Sequence, residues 1–123
     1  MKLNSTMGMI GLAGLVLAGL IFGAVWNNVK PSPYDEFAQC LNDAGYVEYA
    51  AHWCSACAQQ ESFFGTASSK LNRIECSSPG SSTFDLCPDI ESTPTWQKPD
   101  GERVTGVQSL VTLSDWSGCA LPE

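Results

Sequence analysis

The apolar positions of this chain follow two regimes. From Met7 to Trp26 they form a run of 20 residues without a charge, and beyond Pro31 they recur with the periods of helices and strands. A helix rises ~1.5 Å per residue, so the first run just covers a ~30 Å hydrocarbon core. Lys2 and Lys30 flank it, and Trp26 stands where an interfacial aromatic belongs. A cleaved signal peptide has a shorter apolar region, ~7–15 residues, followed by a small-x-small site. Phe22-Gly23-Ala24 puts a bulky residue where a small one is wanted, and no cysteine is placed for lipid attachment. The pattern predicts a retained transmembrane anchor within residues 1–30 and one domain over 31–123.

In that domain, Tyr34, Phe37, Ala38 and Leu41 mark one helical face, with Ser32 as cap, Pro33 at the first position and Gly45 as stop. Tyr46 to Trp53 is aromatic and apolar enough for a buried strand. A helix follows from Cys54, with Cys57, Glu61 and Phe64 at helical spacing and Gly65 ending it. Leu71 to Cys76 reads as a second strand, and Ser77 to Ser82 as a Ser/Gly/Pro loop. Thr83 to Ile90 reads as a short helix that Pro88 must start, kink or end. Thr95 to Lys98 and Arg103 to Thr105 form a hairpin across Pro99-Asp100-Gly101. Ser109 caps a last helix through Trp116, which turns Leu110, Leu113 and Trp116 inward and stops at Gly118. The order α-β-α-β-α-β-β-α implies an α/β fold. It has one parallel strand pair from the crossover and an antiparallel hairpin at the edge.

Charge narrows the possible partners. The 123 residues carry 6 Lys+Arg and 13 Asp+Glu, and all 13 acids lie after Lys30. The 31–123 segment has 4 bases and 13 acids, a net of −9. Such a surface repels phosphate backbones and disfavours nucleic acid. No Walker, Rossmann or HExxH pattern is present. All six cysteines fall in this segment, a density normal for an oxidising compartment and high for a reduced cytosol. Charge flanking the apolar run gives only a weak vote for a cytoplasmic N-terminus. With the cysteines, it predicts a single-pass protein of the cell membrane whose soluble domain is extracytoplasmic.

Cys54-Ser55-Ala56-Cys57 stands where a strand turns into a helix. A thiol there faces unpaired backbone N–H groups and the positive end of the helix dipole. Both favour the thiolate, and such cysteines titrate at ~3.5–7.5 instead of ~8.5. Cys54 is therefore the candidate nucleophile. Cys57, one turn on and pointing inward, is placed to resolve a mixed disulfide formed at Cys54. This chemistry calls for no cofactor and no resident metal. Other readings of the pair are a short structural disulfide, a soft-metal site completed by His52 as in a metallochaperone, and an inert pair in an interaction module.

Trp53-Cys54-Ser55-Ala56-Cys57 after a strand, with Thr93-Pro94-Thr95-Trp96 before a hairpin, resembles the thioredoxin superfamily. The stretch from Phe37 to Cys119 is more narrowly similar to the thioredoxin-like domain attached to bacterial and archaeal homologues of vitamin K epoxide reductase. The shared pieces are FAQCLNDAG, the WCxxC, Gln59 and Phe64-Gly65, Glu75-Cys76, Asp85-Leu86-Cys87, TPTW and Ser117-Gly118. The resemblance implies a thioredoxin-like fold, a central mixed sheet flanked by helices, and thiol–disulfide oxidoreductase activity with Cys54–Cys57 as the redox disulfide. It also implies a cis-proline loop at Pro94 facing the CxxC, with the Thr93 backbone pairing with substrate. The implied partners are protein thiols of exported chains and a separate quinone-linked, epoxide-reductase-like protein in the membrane. The chain departs from the pattern in two places. Ser55-Ala56 stands where the family has Pro-His, and His52 where it has an aromatic. The dipeptide tunes redox poise, which leaves open whether the protein oxidises or reduces its targets.

The resemblance also points to a buried acid, Glu48, as the proton relay to Cys57. On a strand, Glu48, Ala50 and His52 share a face, and a buried Glu would titrate high enough to serve as a base; the alternative is a solvated strand-end acid. Trp53 would shield the site, and a protonated His52 could stabilise the Cys54 thiolate. Cys76 and Cys87 are expected, by the resemblance, to form a structural disulfide, with a second redox pair as the alternative. Cys40 and Cys119 could tie the ends of the domain together. Against this, thioredoxin topology tends to put their helices on opposite faces, and a disulfide cannot span Cα atoms more than ~7 Å apart.

Overall fold

A computed structural model of the chain describes residues Pro31–Glu123. The expected anchor, Met7 to Trp26, lies outside the described residues. Among the described residues no helix is long and apolar enough to cross a membrane.

The first helix, α1, spans Asp35–Asp43 and buries Phe37, Ala38 and Leu41. It starts two residues later than the Pro33 expected from the sequence. Ser32 closes a tight turn ahead of the helix: its hydroxyl accepts the Tyr34 N–H at 3.1 Å and donates to the Phe64 carbonyl at 2.9 Å. Gly45, at φ +92°, takes the left-handed conformation that lets the chain leave α1 and enter a strand.

Strand β1 (Val47–Ala50) runs parallel to β2 (Asn72–Glu75), joined through helix α2 (Ser55–Ser62) and a 3-10 segment over Gly65–Lys70. Strands β3 (Thr95–Gln97) and β4 (Arg103–Thr105) form the antiparallel hairpin, and helix α3 (Leu110–Ser117) closes the domain. The sheet order is β2-β1-β3-β4, with β3 antiparallel to β1. Ser109 caps α3 by accepting the Thr112 N–H at 3.1 Å, and Gly118, at φ +75°, ends it.

Register separates the two faces of the sheet. Glu48 pairs with Arg73 on one side and with Trp96 on the other, so these three side chains project from one face. The Trp96 indole N–H reaches Gln60 of α2 at 3.0 Å, which identifies that face as the one α2 covers. The main core lies there. Phe37 and Leu41 of α1, Ala67 of the 3-10 segment, Leu113 of α3 and Trp96 form one buried cluster. The Phe37 and Phe64 rings stack within it at 5.9 Å. The opposite face, marked by Tyr49, packs against a smaller cluster of Cys76, Cys87, Ile90 and Phe84.

The short helix expected over residues 83–90 is not formed. These residues make successive turns, with Cys87 N–H to Phe84 O at 3.1 Å and Ile90 N–H to Cys87 O at 3.0 Å. Pro88 has no N–H to continue a helix, and the Cys76–Cys87 disulfide holds the segment against the sheet instead. The expected tie between Cys40 and Cys119 is present, and the topological obstacle to it does not apply. Because α1 and α3 contribute to the same cluster, their Cα atoms are 6.0 Å apart and the disulfide is formed. The two disulfides point to an oxidising, extracytoplasmic compartment.

Candidate redox site

The site grows from the turn between β1 and α2. Ala51 accepts the Cys54 N–H at 3.0 Å, which brings Cys54 to the N-cap of α2 in an extended conformation (φ −83°, ψ 112°). Its Sγ accepts the Cys57 N–H at 3.1 Å. A sulfur thus fills the place where a Ser or Asp side chain would satisfy a free helix N–H. Sγ also lies 3.5 Å from the Thr93 carbonyl, to which a protonated thiol would donate. The Thr93–Pro94 peptide bond is cis, and Pro94 is fully buried.

Cys54 and Cys57 are the free cysteines of the described residues, and they are unequal. Cys54 is partly exposed. Cys57 is buried, and its thiol is pushed up to about 12, first by desolvation and then by its hydrogen bond with Cys54. Thiol exchange needs this asymmetry: an accessible sulfur for attack and a protected one behind it.

Glu48 projects from the central strand on the α2 face. It is fully buried, and neither carboxylate oxygen has a hydrogen-bond partner. Burial, reinforced by the Glu61 charge and opposed by Arg73, raises its pKa to about 8. A carboxyl in this state can hold or release a proton near neutral pH.

The structure brings Cys54, Cys57 and Thr93 into contact and buries Glu48 and Pro94. Trp53 remains 44% exposed. Its indole N–H donates to Ser77 Oγ at 2.7 Å and its ring stacks on Phe84 at 5.4 Å, so the disulfide-held loop fixes its pose. His52 turns away from the pair. Its ring nitrogen is 3.2 Å from the Ser78 carbonyl, and its backbone N–H donates to Glu75 at 3.1 Å. Among the described residues no group of three or more His, Cys, Asp or Glu side chains could hold a metal ion.

Sequence reasoning missed Gln60. It is fully buried, and its Oε1 accepts from the Trp96 indole at 3.0 Å and the Gln108 N–H at 2.6 Å. Its Nε2 donates to the Gln108 carbonyl at 3.0 Å. Gln60 thereby ties the CxxC helix to β3 and to the approach to α3. The signal was its position three residues after Cys57, on the same helical face; polarity masked it.

No protein-family model and no curated protein matches the chain. Fold and site together define a small α/β domain with a mixed four-stranded sheet, two disulfides and a free cysteine pair in CxxC spacing.

Proposed function

We propose that residues 31–123 are a thioredoxin-like thiol–disulfide oxidoreductase domain that forms disulfides in exported proteins. One observation carries the reading: Cys54 caps a helix and accepts the Cys57 N–H at 3.1 Å, while Cys57 is buried one turn behind it. In the oxidised form, a substrate thiolate attacks Cys54 Sγ. The Cys54–Cys57 bond breaks, and Cys57 leaves as a thiolate that takes a proton from neutral Glu48. A second substrate thiolate then attacks the mixed disulfide. Cys54 leaves as a thiolate held by the Cys57 N–H, and the substrate departs with a disulfide. The substrate loses two electrons, and the cysteine pair gains them. Burial disfavours the Cys57 thiolate, and a neutral carboxyl buried on the α2 face of the sheet, able to protonate it, favours this direction.

The oxidising compartment supports substrate oxidation over reduction. The uncharged apolar run from Met7 to Trp26 supports an anchor in residues 1–30, and the sequence resemblance supports re-oxidation by a quinone-linked, epoxide-reductase-like membrane protein. Exposed Trp53 and the Thr93 carbonyl flank Cys54, where a substrate peptide would lie.

The test is covalent trapping. Reduced Cys57→Ser protein mixed with oxidised glutathione is expected to gain one glutathione, mapped by mass spectrometry to Cys54. Wild-type protein under the same conditions is expected to lose two hydrogens and form the Cys54–Cys57 disulfide. An unmodified Cys57→Ser variant, or glutathione stably attached to Cys57 in the wild type, refutes the reading.

A further inference from the structure

Glu48 stands next to a cation that does not serve it. Arg73 is its register partner on β2 and projects from the same face of the sheet. Directly paired residues of neighbouring strands are ~5 Å apart, well within the reach of an arginine. Yet the guanidinium is turned elsewhere. Its Nε is 2.5 Å from Glu61 Oε1 on α2, and its Nη1 is 3.4 Å from Glu75 Oε1. Both oxygens of Glu48 stay without a partner while fully buried. The charged groups set against Glu48 are therefore Arg73 from β2 and Glu61 from α2. The partner from β3 is Trp96, which carries no charge, and the titratable side chain on the inner face of α2 is Cys57.

We infer that Glu61 is a positioning residue that competes with Glu48 for Arg73 and, by holding the guanidinium, keeps the Glu48 carboxyl free to exchange protons. A carboxylate paired with arginine is fixed in its charged form and is a poor proton donor. A carboxyl left unpaired in a buried site stays neutral over a wider pH range. The Glu61–Arg73 pair is partly exposed, with side chains 23% and 28% accessible. It therefore sits at the edge of the buried layer, within reach of solvent. The geometry stands without any assumption about function. The consequence for catalysis rests on the oxidoreductase reading.

The test follows the Glu48 carboxyl directly, by carbon-13 NMR of the full-length chain labelled at glutamate side-chain carboxyls, with Glu48→Gln identifying its resonance. Glu61→Gln is expected to lower the Glu48 midpoint by at least one pH unit. Glu61→Asp, which keeps the anion, is expected to leave it within a few tenths. In an Arg73→Met background the Glu61→Gln shift is expected to shrink to less than half. An unmoved midpoint in Glu61→Gln overturns the inference. So does an equal shift in the Arg73→Met background, because Glu61 would then act through its own charge and not by holding Arg73. Glutathione exchange by the same variants is read separately. If the Glu48 midpoint moves and the pH dependence of exchange does not follow, the proton-relay part of the functional reading fails while the positioning role stands.

Discussion

Replacing Glu48 by glutamine should leave the protein about as stable as wild type in acid and make it more stable near neutrality. The buried carboxyl titrates at about 8 in the folded protein, against an ordinary 4.5. A raised pKa means that the folded state binds this proton more tightly than the unfolded state. Its contribution to stability is therefore complete below 4.5, falls as pH rises and levels off above 8. Each intervening pH unit costs ~1.4 kcal/mol, so by pH 7 the wild type has lost ~3 kcal/mol through this one group. Glutamine has no such slope. Its buried amide, like the neutral carboxyl it replaces, lacks hydrogen-bond partners, and that cost does not change with pH. Denaturant unfolding of both proteins from pH 4.5 to 8, with both structural disulfides intact, isolates the contribution of Glu48, because titrating groups remote from it cancel in the difference. The stability of Glu48→Gln relative to wild type should climb by ~3 kcal/mol between pH 4.5 and 7. A difference that stays flat with pH would show that Glu48 is ionised in the folded protein, and the proton-relay argument would fall with it.

Other consequences follow from the same contacts. Gln60→Leu leaves the Trp96 indole and both backbone groups of Gln108 without partners, and should cost about 3 kcal/mol or more in urea unfolding; a loss under 1 kcal/mol would mean that these groups find other partners. Removing the Cys40–Cys119 bond, with a sequence separation of 79, should cost ~4–5 kcal/mol in the chain-entropy model, against ~3 kcal/mol for Cys76–Cys87, with a separation of 11. Paired Cys→Ala variants compared by denaturant midpoint check that order, and a larger loss from the shorter loop would reverse it.

What the chain reveals before folding depends on how local the cause is. The caps at Ser109 and Gly118, the turn at Gly45 and the strand–CxxC–helix junction are set within a few residues, and each is visible in sequence. The parallel strand pair and the hairpin also follow, because a crossover through a helix forces the first and Pro99-Asp100-Gly101 permits the second, whereas the placement of β3 beside β1 is a property of the assembled sheet. The start of α1 is displaced because Ser32 spends its hydroxyl on a turn and on the distant Phe64 carbonyl, a contact no local pattern encodes. Residues 83–90 carry apolar spacing compatible with a helix, but Pro88 and a disulfide to Cys76 impose turns. The Cys40–Cys119 bond depends on α1 and α3 sharing one face of the sheet, which is a property of the whole packing. Within the site, cysteines and prolines advertise themselves by type. Gln60, Glu61 and Arg73 do not: a buried glutamine interrupts the apolar pattern that marks a core face, and an ion pair between a helix and a strand has no fixed spacing.

The central claim is that Cys54 and Cys57 form a redox couple poised to oxidise other thiols. Equilibrating the protein with glutathione buffers, and reading the pair by mass spectrometry, measures its potential directly. A thiol-oxidising pair is expected at a potential of about −120 to −180 mV, in the range of disulfide-forming oxidants and isomerases. A value of about −270 mV or lower would mark a reductant and contradict the assigned direction. A pair that never exchanges with glutathione would contradict the oxidoreductase reading itself.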